Sequence, residues 1–176
     1  MRYNIFLIIF LLPVFSFSQP TAEQMRQVEE AKKEVRRMKG SKFPEFELTT
    51  IDGKTYTNKD FEGKVLVVNF WFSSCKPCIV EMPEMNELVE EYKNEEIVFL
   101  APTFDDEERV RKFLTRRDFD YEIVADVKDF CLALNVRSYP THFVINREGI
   151  IERVIIGYYF GTMKALRKSV RKLLKS

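Results

Sequence analysis

A pair of cysteines separated by two residues is the feature of this sequence with the clearest chemistry. Cys75 and Cys78 enclose a Lys-Pro dipeptide, with an apolar stretch of strand character before them and a stretch of helical period after them. This order places Cys75 at the N-terminus of a helix, where unpaired backbone N–H groups and the helix dipole favour a negative charge. A thiolate is such a charge and is the reactive form of cysteine. We therefore expect a reactive thiol at Cys75.

Three kinds of site contain a Cys-x-x-Cys pair, and the rest of the chain separates them. A zinc site needs about four ligands, whereas the sequence holds 3 Cys and a single His. A structural disulfide across so short a loop would remove little entropy from the unfolded chain. A redox-active dithiol is the usual interpretation when the pair lies between a buried strand and a helix. We favour the redox interpretation.

Length and composition limit the architecture and the partners. The chain has 176 residues, of which 45% are hydrophobic, and this is enough for one globular domain. The formal net charge of +1 gives no argument for a nucleic-acid partner. With 3 Cys there is no framework of the kind that staples small secreted domains.

The first 18 residues are typical of a signal peptide. A short basic start at Arg2 precedes an apolar run over 5–17, and small residues at Ser16 and Ser18 suit a signal peptidase. The run is shorter than the roughly 20 apolar residues of a membrane-spanning helix. The alternative is an uncleaved N-terminal anchor, and either interpretation places the domain outside the cytoplasm, for example in the periplasm. Residues 19–40 are polar with helical period and predict a helical leader.

Strand and helix patterns alternate through the rest of the chain. An Asp-Gly turn at 52–53 predicts a β-hairpin, Asn58 is predicted to cap one helical turn, and Asp105 is predicted to cap a helix through 119. The apolar run 65–72 predicts a strand buried on both faces. Further strands are predicted at 97–102, 121–125, 141–145 and 150–156, and further helices after Cys78 and at 128–134 and 162–174. This order predicts an α/β fold whose mixed sheet is covered on both faces.

Several motifs together resemble a known family. Residues 71–78 (Trp-Phe-Ser-Ser-Cys-Lys-Pro-Cys), followed by Glu81, resemble the active-site segment of the thioredoxin superfamily. More narrowly they resemble the TlpA/ResA-like extracytoplasmic thiol–disulfide oxidoreductases. Residues 43–54 are similar to the β-hairpin extension that this branch shares with the peroxiredoxins of the AhpC/TSA type, and residues 136–141 are similar to the cis-proline loop. The resemblance implies a thioredoxin-like domain over 41–176, with a central mixed β-sheet flanked by helices, an N-terminal β-hairpin extension and a leading surface helix.

The resemblance, taken with position, assigns roles around the cysteines. Cys75 is expected to be the exposed nucleophile and the more buried Cys78 to resolve the mixed disulfide. An acid at Glu81, on the same side of the helix as Cys78, would aid proton transfer at the resolving thiol. The alternative is a first-turn glutamate that complements the helix dipole. Cytoplasmic thioredoxins carry a buried Asp where this chain has Asn69, which leaves Glu81 as the nearest acid in sequence.

The same resemblance suggests how a client binds. Pro140 is expected to be preceded by a cis peptide bond, and the backbone of Tyr139 would then pair with an extended client segment. Tyr139 and Trp71 are candidates to border the groove, although core packing is the favoured interpretation for Trp71. Lys76 and Pro77, between the cysteines, are candidates for tuning the reduction potential without deciding the direction of electron flow.

Two further reactive side chains are given structural interpretations. Cys131 lies among apolar residues and is predicted to be a core thiol, because free Cys is among the most buried residue types. His142, the only histidine of the chain, is predicted to be a satisfied histidine on a strand rather than a ligand or a catalytic group.

The resulting hypothesis is a protein-disulfide reductase that acts as a monomer and needs no cofactor. The resemblance implies a disulfide-containing client protein, for example in cytochrome c maturation, and a membrane thiol electron donor. A peroxiredoxin is the first alternative, but residues 71–74 lack the Pro-x-x-x-Thr pattern that usually precedes a peroxidatic cysteine. The second alternative is a copper-carrying assembly protein that would use Cys75, Cys78 and His142.

Overall fold

The computed structural model describes residues 21–176, so the predicted signal peptide lies outside the described residues. Over this range no helix has the length and apolar character needed to cross a membrane. Five α-helices, seven β-strands and one 3₁₀ turn follow one another along residues 21–176. They are α1 (Ala22–Arg37), β1 (Glu47–Thr49), β2 (Thr55–Thr57), the 3₁₀ turn (Asn58–Phe61), β3 (Val65–Phe70), α2 (Lys76–Glu91), β4 (Ile97–Pro102), α3 (Glu107–Leu114), β5 (Glu122–Val124), α4 (Lys128–Ala133), β6 (Thr141–Ile145), β7 (Ile151–Ile156) and α5 (Thr162–Leu174).

The main sheet has five strands in the order β5-β4-β3-β6-β7. β3 pairs in parallel with β4 and antiparallel with β6, so the sheet is mixed, as predicted. All six residues of β3 are buried, which confirms the prediction of a strand covered on both faces. The position of β3 at the centre of the sheet brings its C-terminal end, and the cysteines that follow, to the middle of one sheet edge.

Alternation along β3 divides the core into two parts. One hydrophobic cluster contains Val65, Val67 and Trp71 together with residues of α2, α3 and α5. The other cluster contains the intervening residues of β3 and packs against α1, the hairpin and α4. Because successive side chains of a strand point to opposite faces, Asn69 lies on the side of α2. A one-residue shift of this strand would exchange the two sets.

The β1–β2 hairpin covers the β5 edge of the main sheet. Gly53 adopts φ 83° at its turn, a conformation that favours glycine. Beside the turn, Ile51 N donates to Ile123 O at 2.9 Å, and Tyr56 Oη donates to Glu122 Oε1 at 3.1 Å. Covering an edge in this way removes a surface on which another strand could pair.

Two predicted helix caps are wrong. Thr57, rather than Asn58, precedes the 3₁₀ turn, and the Asn58 side chain instead accepts from Phe46 N at 2.7 Å and ties the hairpin to the preceding segment. Asp106, rather than Asp105, caps α3 by accepting from Arg109 N at 2.7 Å. Asn and Asp side chains can accept from local or from distant backbone N–H groups, so sequence position alone did not decide between these uses.

The boundary of α3 also differs from the prediction. The helix ends at Leu114 rather than at Phe119. Phe119 leaves the helix and its ring packs against Trp71 at a centroid distance of 5.3 Å in an edge-to-face arrangement. Phe119 therefore packs in the core from outside the helix, although its spacing from the apolar residues of α3 fits a helix.

Packing of α2 against the sheet is a testable basis of stability. Leu88 of α2 has no exposed surface, so Leu88→Ala would leave a cavity and should reduce the free energy of unfolding by about 2–5 kcal/mol. Urea unfolding followed by the fluorescence of Trp71, the single tryptophan, measures the change. Val80→Ala on the same helix is the control, because Val80 is 59% exposed and should change stability by about 0.5 kcal/mol or less. Equal losses in the two variants would contradict this packing.

Candidate active site

Cys75 and Cys78 are joined by a disulfide at the start of α2. Cys75 is the N-cap residue of α2, as predicted, and the backbone N–H of Cys78 donates to Cys75 Sγ at 3.3 Å. An amide that already points at Sγ, together with the helix dipole, would stabilise a thiolate there after reduction. Pro77 lies in the first turn of the helix, where the lack of an N–H costs little.

Neither sulfur-bearing residue is open to solvent in this disulfide form. Cys75 is 4% exposed and Cys78 is 1% exposed, so the expectation of an exposed nucleophile is wrong for this state, although Cys75 remains the more accessible of the two. Phe72 and Tyr139 pack against the cluster that contains both cysteines. Lys76 and Pro77 are exposed between them. The tip of the turn is therefore the exposed part of the segment that carries the disulfide.

Asp105 holds the turn that leads to Cys75. Its carboxylate accepts from Ser73 N at 2.6 Å and faces Arg109 Nη1 at 3.4 Å, although Asp105 itself is only 4% exposed. Cys75 N also donates to Phe72 O at 3.0 Å. Sequence reasoning missed this role because it assigned Asp105 to a helix cap. The one local signal was the position of Asp105 just beyond the end of a buried strand.

The loop before β6 lies against the same turn. The Tyr139–Pro140 peptide bond is cis, as predicted. Pairing of Thr141 with Phe70 brings this loop to the end of β3. The ring of Tyr139 meets Phe72 and Phe104 at centroid distances of 5.2 and 5.5 Å, which forms a half-buried aromatic cluster beside the disulfide. Phe104 was not singled out by the sequence, since nothing in its local pattern separates it from a core residue.

Trp71 belongs to the core and not to a client groove. It has no exposed surface, and its Nε1 donates to Ala101 O at 3.2 Å. Its ring packs against Phe113 and Phe119 at centroid distances of 5.2 and 5.3 Å. The favoured interpretation of core packing is therefore confirmed, and the suggestion that Trp71 borders the groove is wrong.

Three polar side chains, those of Asn69, Glu81 and His142, contact one another in the core on the α2 side of the sheet. Glu81 and His142 have no exposed surface and Asn69 is 1% exposed. His142 Nε2 lies 3.0 Å from Glu81 Oε1, and Asn69 Nδ2 lies 3.4 Å from the same oxygen and 3.2 Å from His142 Nδ1. Glu81 is the sixth residue of α2 and fully buried, so it is not a surface glutamate of the first turn. His142 is a satisfied strand histidine, as expected, but its partner is the candidate proton-transfer acid.

The burial of this region changes the titration of a nearby phenol. Burial, and then the negative charge of Glu81, raises the pKa of Tyr121 well above its ordinary value. Tyr121 therefore stays protonated over the physiological range. Within residues 21–176 no group of three or more His, Cys, Asp or Glu side chains is arranged to hold a metal ion.

The remaining cysteine lies on the other side of the sheet. Cys131 is 2% exposed and belongs to the cluster formed with α1, the hairpin and α4. Burial raises the pKa of the Cys131 thiol to about 11. A thiol with so little thiolate near neutral pH is a poor nucleophile, which agrees with the prediction of a core residue.

Comparison with known proteins agrees with this geometry. Residues 39–154 match the AhpC/TSA family. The chain is 35% identical over 131 residues to the thioredoxin-like protein YneN of Bacillus subtilis, covering 72% of this chain and 76% of that protein. It is 39% identical over 120 residues to the thiol-disulfide oxidoreductase ResA of Geobacillus kaustophilus, covering 67% of this chain and 69% of that protein.

A solved structure shows the same fold. A protein of Chlorobium tepidum assigned as the thiol:disulfide interchange protein DsbE superposes with a TM-score of 0.72 at 27% sequence identity, covering 77% of this chain and 97% of that chain. The thioredoxin-like fold expected from the sequence is thereby confirmed. The chain belongs to the AhpC/TSA family, among its thioredoxin-like thiol–disulfide oxidoreductases.

The contrast between the thiols predicts selective alkylation. After mild reduction at pH 8, iodoacetamide should modify Cys75 and leave Cys131 intact, because burial raises the Cys131 pKa to about 11. A thiol with that pKa has on the order of one molecule in a thousand ionised at pH 8. Peptide mass spectrometry measures the modification at each site, and protein unfolded in urea is the control in which Cys131 should react. Reaction of Cys131 in folded protein at the rate of Cys75 would contradict this assignment.

Proposed function

We propose that this chain is an extracytoplasmic protein-disulfide reductase that acts through a mixed disulfide between Cys75 and a client. The observation that carries the proposal is the position of the Cys75–Cys78 disulfide at the N-terminus of α2, with the Cys78 amide directed at Cys75 Sγ. The relatives named as thiol–disulfide oxidoreductases support the reaction class. Reduction of clients, rather than their oxidation, is the direction we propose.

In the proposed cycle, the Cys75 thiolate attacks one sulfur of a client disulfide. A Cys75–client bond forms, the client S–S bond breaks, and the other client sulfur leaves as a thiolate. Cys78 then loses its proton and attacks Cys75 Sγ. The Cys75–Cys78 disulfide forms and the second client sulfur leaves, so the client gains two electrons and the protein loses two. A membrane thiol electron donor would return the protein to its dithiol form.

The other site residues have proposed roles in the same cycle. Glu81 is the candidate group for proton transfer at Cys78, because it lies one turn along α2 and is fully buried. Tyr139 and Pro140 form the loop against which a client segment would pair as an added strand. Lys76 and Pro77 are exposed between the cysteines and are proposed to tune the reduction potential.

We further propose where and with whom the protein acts. The signal-peptide pattern of residues 1–18 supports secretion to the periplasm or a comparable compartment, and we propose a leader at 19–40 before a domain at 41–176. Clients would be proteins with accessible disulfides, such as apocytochromes during cytochrome c maturation. The protein is proposed to act as a monomer without a cofactor.

Two alternative functions make different predictions. A peroxiredoxin would consume peroxide through Cys75 alone, so that activity would survive Cys78→Ser but not Cys75→Ser. A copper carrier would need Cys75, Cys78 and His142 together, whereas His142 is fully buried and engaged with Glu81. Purified protein that retains no copper, and whose reductase activity is unchanged by a copper chelator, would remove the second alternative.

Trapping of clients tests the proposed function directly. Cys78→Ala removes the resolving thiol, so mixed disulfides at Cys75 should accumulate at least tenfold over the native protein when the variant is expressed with its signal peptide. Non-reducing electrophoresis measures the adducts and mass spectrometry identifies the clients.

Two matched variants control this experiment. Cys131→Ala should form no more adducts than the native protein, because Cys131 is buried on the other side of the sheet. The double variant Cys75→Ser/Cys78→Ala should form none. If the Cys78→Ala variant captured no Cys75-dependent partner in cells and none with a reducible model protein such as insulin, the oxidoreductase proposal would be lost.

A further inference from the structure

Glu81 and His142 form a buried acid–base pair. Sulfur exchange between Cys75, Cys78 and a client does not by itself require such a pair. Both side chains lack exposed surface, and the two groups are 3.0 Å apart. Within residues 21–176, His142 is the only basic side chain within 4 Å of the Glu81 carboxylate. An ionised carboxylate in an apolar core is costly unless it is paired.

Strand register is what brings His142 to this position. His142 of β6 lies directly opposite Asn69 of β3. Asn69 lies on the same face of β3 as Val67 and Trp71, which pack in the hydrophobic cluster that includes residues of α2. Asn69 and His142 therefore both face α2. Glu81 enters from α2 one turn after Cys78. The pair therefore lies on the buried side of the cysteines, away from the tip at which a client would arrive.

The resolving step needs a proton acceptor on that buried side. In the disulfide form Cys78 is 1% exposed, so its sulfur lies at a buried position. Asn69 is polar but carries no titratable group, and burial holds Tyr121 in its protonated form by raising its pKa. An unperturbed imidazole is a stronger base than a carboxylate by roughly two pKa units. It is also the side chain that ordinarily changes charge between about pH 5 and pH 8.

The surroundings of the pair contain few other titratable groups. The cluster that packs around it from α2, α3, α5 and the sheet contains the two active-site cysteines, Tyr92 and Tyr121, with Tyr139 partly buried at its margin. Within residues 21–176 the buried acidic or basic side chains are Glu81, Asp105 and His142. Asp105 is engaged with Ser73 N and Arg109 at the turn. The Glu81–His142 pair is thus the buried acid–base group on the face of the sheet that packs against α2, one turn beyond Cys78.

We propose that His142 is a positioning residue that orients Glu81 and shares with it the proton released by Cys78 during resolution of the mixed disulfide. This inference rests on the proposed function. The Cys78 S–H bond breaks, its proton passes to the Glu81–His142 pair, and the sulfur keeps the electron pair. That pair of electrons forms the bond to Cys75 Sγ as the Cys75–client bond breaks. The proton then leaves the pair for the departing client thiolate or for solvent.

A symmetrical aryl disulfide that releases a coloured thiolate separates the two chemical steps. Attack by Cys75 on this probe releases the first thiolate, and attack by Cys78 on the mixed disulfide releases the second. His142→Gln keeps a hydrogen-bonding side chain but removes the titratable group. It should slow the second release roughly tenfold or more near neutral pH while the first release keeps its rate. Stopped-flow absorbance measures both rates on the complete mature chain.

The pH profile distinguishes proton transfer from a purely structural pair. In the native protein the rate of the second release should show an inflection between about pH 5 and pH 8, and His142→Gln should lack it. Glu81→Gln should also slow this release, and the double variant should be no slower than the slower single variant, because the two groups act as a unit. An unchanged second-phase profile in a folded His142→Gln protein would overturn the proposal.

Tyr121→Phe is the matched control for disturbance of this part of the core. It removes one buried hydroxyl near Glu81 without removing a group of the pair, and should leave both release rates unchanged. If Tyr121→Phe slowed the second release as much as His142→Gln, general disruption of packing would explain the effect and the proposal would fail.

A measurement on the native protein covers the case in which His142→Gln does not fold. The chain contains 1 His, so an untagged sample gives one set of imidazole ring signals in NMR spectra, of which the Cε1–H signal is followed. The titration midpoint of that signal should be higher in the dithiol form than in the disulfide form, because the Cys75 thiolate favours the protonated pair. Equal midpoints in the two forms would overturn the inference.

These outcomes separate the inference from the proposed function. A native protein that never reacts with the aryl disulfide or with insulin would remove the proposed function, and the inference with it. A native protein that reduces both, with a His142→Gln variant of unchanged rates and pH profile, would remove only the inference.

Discussion

Burial of β3 on both faces is the constraint on which the rest of this structure depends. A strand in that position sends alternate side chains into two separate cores, so each residue must suit the layer that it enters. Five of the six residues of β3 satisfy this requirement with buried apolar side chains, and they are Val65, Leu66, Val67, Val68 and Phe70. Asn69 is the exception, and it enters the layer covered by α2. The polar position coincides with the place where the helix carries Glu81.

The site follows from how the end of this strand is held. The cysteines follow β3 after a short turn, and Cys75 is the N-cap residue of α2, the helix that packs on one face of the sheet. Asp105, just beyond the end of β4, accepts from Ser73 N and so links the turn to the neighbouring strand. The loop of Tyr139 closes the other side through its contacts with Phe72 and Phe104. The start of α2, Asp105 and the loop of Tyr139 thus hold the segment that carries the two cysteines. A functional site needs this kind of support from its surroundings.

Buried polar groups give the site its distinct electrostatics. Glu81 and His142 meet in a layer where neither side chain has exposed surface and where an unpaired charge would be costly. The thioredoxins to which the sequence has a resemblance carry an acid on the strand, whereas this chain has an amide there and a histidine on the adjacent strand. The buried acid–base pair of this site therefore comes from α2 and β6 rather than from β3.

Much of the architecture could be predicted because its signals are local. The strands at 97–102 and 141–145, the last helix at 162–174, and the Asp-Gly hairpin turn were predicted from period and turn residues. The predictions that were wrong concern competition between local and distant partners. Asn58 and Asp105 were assigned to caps because they precede helical turns, yet both bond to backbone groups outside their own element. Phe119 was predicted to end α3, but the helix ends at Leu114 and the Phe119 ring packs on Trp71.

The sequence by itself determined the dithiol, its place between a strand and a helix, and the position of Glu81 one turn beyond Cys78. These are consequences of spacing along a single element, which the order of residues specifies. Only the tertiary structure decided that Glu81 meets His142 and that Asp105 holds the turn before Cys75. Glu81 and His142 are separated in the chain by two strands and two helices. Their contact depends on strand order and register across the sheet, and these are set by packing of the whole core.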